Sequence, residues 1–298
     1  MIPPTIHTLR RKPLILLSLF MTTFASAQTT KPAKPHTVIG DLRFHSIKSK
    51  ILNNERTLRV WVPPGYDANP DQRYPVIYFH DGQNIFDLAT APNGAEWKLD
   101  ETADRLIKQG RIPPIIIVAI DNTPERTNEY TTTAEPRLHA GGNGEKYARF
   151  VLEEVKPIID TLYRTMPGKE SNAIAGSSLG ALISLYIVQK SPETFGMCGA
   201  VSTSLWWDNA NFLRQTMVNS SWVRGHKIYL DIGMSEGTPH DSAIYVALTR
   251  QMEATLMQAG LSLGTDLKYY EAIGADHSET SWAMRVGPML EFFFGKNQ

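Results

Sequence analysis

Residues 172–184 read NAIAGSSLGALIS, and their centre, residues 176–180 (GSSLG), places two serines between two glycines. The residues before this centre are small and apolar and predict a strand, whereas the residues after it predict a helix. The pentapeptide follows the pattern G-x-S-x-G, with Ser178 at its middle. A strand, this turn and a helix in succession are typical of a nucleophile elbow, which exposes one serine hydroxyl.

The geometry of such a turn explains the two glycines. A serine held in a strained conformation needs small neighbours, and Gly176 and Gly180 provide them. The amide of Leu179 would then lie at the N-terminus of the helix, where it is free to stabilise an oxyanion. The simpler alternative is a structural glycine-rich turn that only packs a strand against a helix. Other parts of the sequence are needed to distinguish this turn from a nucleophile elbow.

The rest of the chain alternates short β-branched runs with longer amphipathic stretches. The predicted strands are residues 57–62, 76–79, 115–120, 172–175, 198–202, 228–232 and 267–271, and the predicted helices are residues 99–109, 145–163, 179–189, 243–258 and 282–293. This alternation predicts an α/β fold with a mainly parallel central sheet and helices on both faces. The first strands lack intervening helices, which predicts an antiparallel start to the sheet.

The N-terminus has the three parts of a secretory signal peptide. It carries a basic run, then a mostly apolar segment, and then the small residues ASA at 25–27. We expect a signal peptide over residues 1–27, a flexible polar leader over 28–37 and one α/β domain over 38–298. The expected location is the periplasm or the exterior. An uncleaved anchor is the alternative, although the apolar run is short for stable membrane insertion.

The composition is that of an ordinary globular protein. The chain has 298 residues, 42% of them hydrophobic, which suffices for one large domain. Its formal net charge is zero, so electrostatics give no reason to expect a nucleic-acid partner or an anionic membrane. The one cysteine, Cys198, lies in an apolar run and lacks the elbow that a cysteine nucleophile needs, so we expect a buried core residue.

An elbow serine requires an acid and a histidine further along the chain, in the order serine, acid, histidine. His277 meets the second requirement, because it lies in the loop after the last predicted strand. In this role its ring takes the proton of Ser178 and later returns it to the leaving alcohol. The alternative is an ordinary surface histidine.

Three carboxylates lie in or after the strand that precedes this last one. Asp231 lies inside the predicted strand, Glu236 lies in a glycine-flanked loop just after it, and Asp241 lies where a residue would cap the next helix. We predict that Glu236 is the acid, because a loop residue can reach across to the histidine. Asp231, Asp241 and Asp208, which follows the previous strand, stay open as alternatives.

A second oxyanion donor is expected in the loop after an early strand. The segment VIYFHDGQNIFD at 76–87 supplies this loop, in which Gly82 lets the backbone approach closely and Gln83 provides the predicted amide. His80 and Asp81 together suggest a metal-ligand pair, but no other histidine or carboxylate has ligand spacing to them. We therefore predict a structural role for the pair and neither a metal nor another cofactor.

Together these segments resemble the putative-esterase family of α/β-hydrolases, which includes enterochelin (siderophore) esterase-like and feruloyl esterase-like proteins. The matching segments occur in the family's order and span residues 40–295; they are YFHDGQNIFD, EWKLDE, IVAIDN, AGSSLG, VSTSLWWD, LDIGMSEG and DHSETSW. The resemblance implies an α/β-hydrolase fold. It also implies a nucleophile, an acid, a base and two oxyanion donors, namely Ser178, Glu236, His277, Gln83 and Leu179.

The resemblance further implies that a set of aromatic and basic residues lies near the pocket, where it would contact the substrate. These residues are Trp97, Arg126, Tyr130, Trp206 and Trp207. Aromatic side chains in such positions also serve as core and rim packing. For Arg126 the alternative is an ion pair with Glu129.

The sequence therefore predicts an exported serine esterase that cleaves a small-molecule or sugar ester through an acyl-enzyme on Ser178. An acyltransferase with the same triad is the first alternative, because a sugar or another alcohol can replace water as the acceptor. A catalytically inactive module that binds carbohydrate or siderophore is the second, although such a module has no need of a complete triad.

Overall fold

An eight-stranded sheet forms the centre of the protein in the computed structural model, which describes residues 34–295. The strands of the chain are β1 (Asp41–Ser49), β2 (Asn54–Val62), β3 (Val76–His80), β4 (Ile116–Ile120), β5 (Ala134–Glu135), β6 (Ala140–Gly141), β7 (Asn172–Ser177), β8 (Met197–Val201), β9 (Lys227–Gly233) and β10 (Leu267–Ala272). The order across the sheet is β1-β2-β4-β3-β7-β8-β9-β10, and β5 and β6 form a separate hairpin. The predicted signal peptide and residues 28–33 of the predicted leader lie outside the described residues.

The strand directions confirm a mainly parallel sheet. Strand β2 is antiparallel to both of its neighbours, β1 and β4. All other neighbouring pairs are parallel. The antiparallel start that the sequence predicts is therefore present, because no helix separates the first strands along the chain.

Helices cover both faces of the sheet. They are α1 (Leu99–Lys108), α2 (Arg126–Glu129), α3 (Gly144–Arg149), α4 (Lys156–Leu162), α5 (Leu179–Lys190), α6 (Trp207–Val218), α7 (Pro239–Gln258) and α8 (Glu279–Phe294). The apolar side chains of α1 and α8 join one core cluster, and those of α3, α4, α5 and α7 join another. No helix within residues 34–295 is long and apolar enough to span a membrane.

Successive side chains of the central strands point alternately into the two core clusters on opposite faces of the sheet. In β3, Val76 and Tyr78 face one cluster, whereas Ile77 and Phe79 face the other, and all four side chains are fully buried. Burial of an aliphatic or aromatic side chain of this size contributes about 1.5–3 kcal/mol. A strand that is apolar at every position is thus explained by helices on both of its sides.

The fold differs from the sequence prediction in several places, which include the unpredicted short helix α2 and the hairpin of β5 and β6. Strand β1 and helix α6 were not predicted, since β1 is a half-exposed edge strand with mixed polarity and α6 is broken at residues 208–210, where φ is positive. The helix predicted over residues 145–163 contains a π-helical segment at Phe150–Val155. This wider turn precedes Pro157, which has no N–H to donate to an ordinary helical turn.

Two residues of the predicted leader, His36 and Thr37, contact the domain. His36 Nδ1 lies 2.8 Å from a carboxylate oxygen of Asp87, and the Thr37 hydroxyl donates to Glu96 at 2.5 Å. These residues belong to the predicted flexible leader, but their side chains are bonded to the domain. Local sequence does not reveal these contacts, because the partners lie 50 or more residues away.

The carboxyl of Asp100 makes the stability of the fold depend on pH. It is fully buried, accepts the amide N–H of Ile39 at 2.8 Å and lies beside Glu101. Burial raises the pKa of Asp100 to about 8, and Glu101 adds to this effect. The unfolded chain releases this proton near pH 4, whereas the folded protein keeps it. The contribution of Asp100 to the free energy of unfolding therefore falls as the pH rises from about 4 to about 8.

We expect Asp100→Asn to flatten this decline, because the amide stays neutral and its oxygen still accepts the Ile39 N–H. As the pH rises from about 4 to about 8, the free energy of unfolding should fall less steeply in Asp100→Asn than in the parent protein. The difference between the two slopes should reach about 1 kcal/mol per pH unit. Urea unfolding between about pH 5 and about pH 8 measures this difference. Asp67→Asn, at an exposed carboxylate, is the control. An equal slope in Asp100→Asn and the parent would contradict the prediction.

The strand order of the sheet reverses between the neighbouring strands β3 and β7. From β3 the chain moves to β4 on one side, and from β7 it moves to β8 on the other side. The loops that leave these two neighbouring strands therefore diverge and open a crevice at their carboxyl ends. Ser178 follows β7 and Asp81 follows β3, so both begin loops at this crevice.

Candidate active site

Ser178 lies in a sharp turn between β7 and α5. Its φ is 59° and its ψ is −123°, a backbone conformation that is strained for a residue with a side chain. A Cβ atom at Gly176 would come within 2.7 Å of the main-chain carbon of Gly180. The glycine spacing of the motif is thus imposed by the close approach of the strand and the helix, as an elbow requires.

The hydroxyl of Ser178 is held by a second serine. Its Oγ lies 3.1 Å from Oγ of Ser204, whose amide N–H also donates to the main-chain oxygen of Ser178 at 3.2 Å. No hydrogen bond joins Ser178 to His277 within residues 34–295. Catalytic hydrogen bonds are often long or absent in unliganded enzymes, and rotation about χ1 changes the direction of a serine hydroxyl.

Glu236 is the carboxylate that bonds His277. It lies in the loop after β9 with 1% of its surface exposed. Its Oε2 accepts the Nδ1–H of His277 at 2.8 Å, and its Oε1 accepts the amide N–H of Gly233 at 2.7 Å and the hydroxyl of Ser202. Because Nδ1 is engaged, Nε2 is the ring nitrogen of His277 that remains free for a proton transfer.

The His277 ring lies in the loop after β10 and is oriented from a second side by Trp282. The two rings meet edge to face, with centroids 5.0 Å apart and an interplanar angle of 86°. The His277 side chain is 37% exposed, so one edge of the imidazole reaches the solvent. Its position between a buried carboxylate and an indole restricts the ring to one orientation while leaving Nε2 accessible.

The other candidate acids have different partners. Asp231 is fully buried in β9 and pairs with Arg285 at 2.9 Å. Burial raises the pKa of Asp231 to about 6, against the opposing effect of Arg285. Asp241 forms a capping box with Thr238 at the start of α7, and Asp208 lies at the break in α6. None of these three bonds a histidine in the described part of the chain.

The loop after β3 turns sharply beside the elbow. Asp81 has φ 59° and ψ 47°, and a Cβ atom at Gly82 would lie 2.5 Å from a carboxylate oxygen of Asp121. A Cβ atom at Gly180, in the first turn of α5, would lie 3.4 Å from Asp81 Oδ2, which is an ordinary contact distance. The elbow helix therefore lies close to this loop, and Gly82 is the position where a side chain has no room.

Two backbone amides at this contact have no acceptor. Among residues 34–295, the N–H groups of Gln83 and Leu179 make no hydrogen bond to the protein. They belong to the two loops that leave the neighbouring strands β3 and β7. Free amides from these two loops are the donors that an oxyanion hole needs.

The side chains around the loop fix its shape. Asp81 forms a bidentate ion pair with Arg126, at 2.7 and 2.8 Å, and accepts the side-chain amide of Asn122 at 2.5 Å. Burial opposes the charge of Asp81, but Arg126 and Asn122 hold the pKa of this carboxyl below its ordinary value. Asn122 also bonds the side chain of Gln83 through its amide oxygen and its main-chain N–H. The Gln83 side chain is thus engaged, and only its backbone amide remains free.

Arg126 therefore does not pair with Glu129, which was the alternative at the sequence level. Glu129 instead forms a buried ion pair with Arg56, at 2.7 Å. His80 is also buried, and its Nδ1 lies 2.9 Å from the hydroxyl of Tyr147. Burial lowers the pKa of His80 to about 3, so its ring is neutral. Within residues 34–295 no group of histidine and acidic side chains has the arrangement of a metal site.

Three of the five residues assigned to the pocket rim are buried beside the site. The indole N–H of Trp207 donates to the Thr133 main-chain oxygen, the Tyr130 hydroxyl accepts the Asp81 amide, and Trp97 packs on the ring that orients the histidine. In this conformation all three side chains are buried against other residues, so they have no exposed face that a substrate could contact. Arg126 remains 29% exposed, and the partly exposed Trp206 stacks on Tyr245.

Three polar residues of the site were missed by sequence reasoning. Ser204 bonds the elbow serine, Ser202 bonds the acid, and Asn122 clamps the loop after β3. All three lie within segments that carry the family resemblance, VSTSLWWD and IVAIDN, and within three residues of the ends of strands β8 and β4. A polar residue shortly after a parallel strand is the signal that would have found them, because such positions meet at one edge of the sheet.

Residues 49–293 match the family described as "Putative esterase". The chain belongs to this family. The match covers the elbow, the Glu236–His277 pair and the loop after β3, and it supports hydrolysis of a carboxylic ester. The comparisons also confirm the α/β-hydrolase fold that the sequence predicts.

The chain is similar to relatives over most of its length or over part of it. The esterase is 27% identical over 252 residues to the uncharacterized protein YbbA of Bacillus subtilis, covering 82% of this chain and 94% of the relative. It is 28% identical over 181 residues to the ferri-bacillibactin esterase BesA of the same organism, covering 55% and 59%. A solved ferulic acid esterase superposes with a TM-score of 0.68 at 19% identity, over 85% of this esterase and 97% of that chain, which is a likeness of fold.

Proposed function

We propose that this esterase is an exported serine hydrolase that cleaves its ester through an acyl-enzyme on Ser178. The observation that carries the proposal is the Glu236–His277 pair, 2.8 Å apart, which follows β9 and β10 in the order that an elbow serine requires. The strained turn at Ser178 and the free amides of Gln83 and Leu179 supply the other parts of the machinery. An inactive binding module has no need of these parts together.

The reaction proceeds in two halves. The Ser178 hydroxyl turns from Ser204 to Nε2 of His277, gives up its proton and attacks the ester carbonyl, while the carbonyl oxygen becomes an oxyanion. The Gln83 and Leu179 amides donate to that oxyanion, and Glu236 stabilises the imidazolium. Collapse of the intermediate breaks the ester bond, and His277 returns the proton to the leaving alcohol. Water then attacks the acyl-enzyme by the same steps and releases the acid.

We propose a small-molecule or sugar ester as the substrate class. One relative is named a ferri-bacillibactin esterase, and one solved structure with this fold is named a ferulic acid esterase. Trp206, two residues after Ser204 along the chain, stacks on Tyr245 with ring centroids 6.3 Å apart, and both rings are partly exposed. Aromatic surfaces of this kind suit a planar acyl group or a sugar ring.

Covalent labelling tests the serine mechanism. We expect a fluorophosphonate to add one phosphonyl group to the protein, and peptide mapping to place it on Ser178. Prior heating to unfold the protein should abolish the labelling, since an unactivated serine is a weak nucleophile. Labelling of another residue, or none under conditions that support ester hydrolysis, would contradict the proposal. Analysis of products with added alcohol separates hydrolysis from acyl transfer.

Export is the second part of the proposal, and it rests on the basic, apolar and small-residue segments at the N-terminus. We expect cleavage before Gln28 and recovery of the mature protein outside the cytoplasm. N-terminal sequencing of protein from fractionated bacterial cells measures the cleavage site. Recovery of Met1 on protein in the membrane fraction would favour an uncleaved anchor.

A further inference from the structure

Ser202 occupies an unusual place beneath the candidate active site. It directly follows β8, has 1% of its surface exposed and has a φ of 47°. Positive φ favours glycine, and a residue with a Cβ atom loses stability there. The backbone conformation alone therefore does not explain a serine at this position, and its side chain has to be considered.

The hydroxyl of Ser202 has three partners, and they fix the direction of its proton. Trp282 donates its indole N–H to Ser202 Oγ at 3.1 Å, and Arg285 donates a guanidinium N–H to the same atom at 2.9 Å. Neither of these groups can accept a hydrogen bond. The single hydroxyl proton is therefore donated to the third partner, which is Oε1 of Glu236.

This arrangement connects a buried cation to the carboxylate of the site. Arg285 pairs directly with Asp231 at 2.9 Å and reaches Glu236 through the Ser202 hydroxyl. The amide N–H of Ser202 also donates to Asp231 Oδ1 at 3.0 Å. Both carboxylates are buried, so each needs donors to compensate for the water that it has lost. Ser202 contacts both of them.

We propose that Ser202 is a positioning residue for ester hydrolysis, which acts by holding the Glu236 carboxylate in the orientation that presents Oε2 to His277. This inference rests on the proposed serine mechanism. With Oε1 held by the Ser202 hydroxyl and the Gly233 amide, rotation of the carboxylate would break two hydrogen bonds. Loss of the hydroxyl leaves one of them, so Glu236 gains freedom to turn away from His277.

Two variants separate the hydroxyl from the backbone. Ser202→Ala removes the hydroxyl and keeps the strain of positive φ, whereas Ser202→Gly removes the hydroxyl and relieves that strain. Both should lower kcat by about 10- to 100-fold, because a small misplacement of a catalytic group has an effect of this size. KM should change by less than about twofold, because Ser202 does not contact the substrate. Ser202→Gly keeps the test valid if Ser202→Ala fails to fold.

Ser242→Ala is the matched control. Its hydroxyl is also buried and donates to the main-chain oxygen of Glu236 at 2.9 Å, so it anchors the loop and not the carboxylate. We expect a lower melting temperature for this variant, with kcat within about threefold of the parent. Equal losses of kcat in Ser242→Ala and the Ser202 variants would assign Ser202 to general packing and overturn the inference.

A double-mutant cycle with Glu236→Gln decides whether Ser202 acts through the acid. If it does, Ser202→Gly should lower kcat on a p-nitrophenyl ester by about 10- to 100-fold when Glu236 is present. In the Glu236→Gln background the same substitution should lower kcat by less than about twofold. Equal effects in both backgrounds, or parent-like kcat in both Ser202 variants, would overturn the inference. Fluorophosphonate labelling of the parent separates this failure from that of the mechanism. If Ser178 is labelled and the Ser202 variants have parent-like kcat, only the role of Ser202 is overturned. If Ser178 is not labelled, both the serine mechanism and the role of Ser202 are overturned.

Discussion

Ser178→Ala is expected to lower kcat by about five to six orders of magnitude, the size of effect that follows loss of a serine nucleophile. Without its hydroxyl no acyl-enzyme forms, and the remaining machinery can only assist direct attack by water. The free amides of Gln83 and Leu179 still stabilise an oxyanion, so a small activity above the uncatalysed rate should persist. Initial rates on a p-nitrophenyl ester, with melting temperature as a check on folding, measure this effect.

Ser177→Ala is the matched control for this prediction. Ser177 is the last residue of β7 and is buried, so its side chain is adjacent in sequence but not exposed in the crevice. We expect it to retain activity within about tenfold of the parent, with any loss arising from altered packing. An inactive Ser177→Ala protein together with an active Ser178→Ala protein would show that the elbow has been placed one residue too late.

Glu236→Gln is expected to lower kcat by about a thousandfold or more, near the effect of neutralising the acid of a triad. Glu236 accepts three donors, from Gly233, Ser202 and His277. A glutamine has only one accepting oxygen, so its NH₂ group must face at least one of these donors. The uncharged amide also gives less stabilisation to the imidazolium that forms when Ser178 attacks.

The other carboxylates provide the controls for this assignment. Asp241→Asn weakens a capping box, so it should lower stability by about 1 kcal/mol and kcat only slightly. Asp231→Asn leaves Arg285 without its buried anion, so it should lower stability by about 3–5 kcal/mol. Should Glu236→Gln keep most of its activity while a folded Asp231, Asp241 or Asp208 variant loses it, the acid is that other residue.

The order and spacing of residues along the chain determined the architecture and pointed to the proposed reacting groups. Gly176 before Ser178 follows from local geometry, because a Cβ atom there would lie 2.7 Å from the main chain of Gly180 at the start of the helix. The alternation of apolar strands and amphipathic helices likewise reflects local periodicity, and it predicted the parallel sheet. His277 was found because the fold requires a histidine after the last strand, which is a matter of chain order.

Contacts between distant segments were decided only by the tertiary structure. Sequence order left four carboxylates open, and Glu236 is the one of the four that bonds His277 among the described residues, since residues 41 positions apart meet only after β9 and β10 have paired. The ion-pair partner of Arg126 is Asp81 and not Glu129 for the same reason. Asp81 lies in the loop after β3, far from Arg126 along the chain, and the fold brings the two side chains together.

The burial of the aromatic residues and the role of Ser202 also depended on packing. Trp97, Tyr130 and Trp207 have the composition of a binding surface, but they are covered by neighbours that are far away in sequence. The position of Ser202 directly after a strand points to the edge of the sheet that carries the site, but its proposed role depends on the donors and acceptors that surround it. Local sequence determines the conformation of a turn, whereas a hydrogen-bond network is determined by side chains that the folded chain brings together.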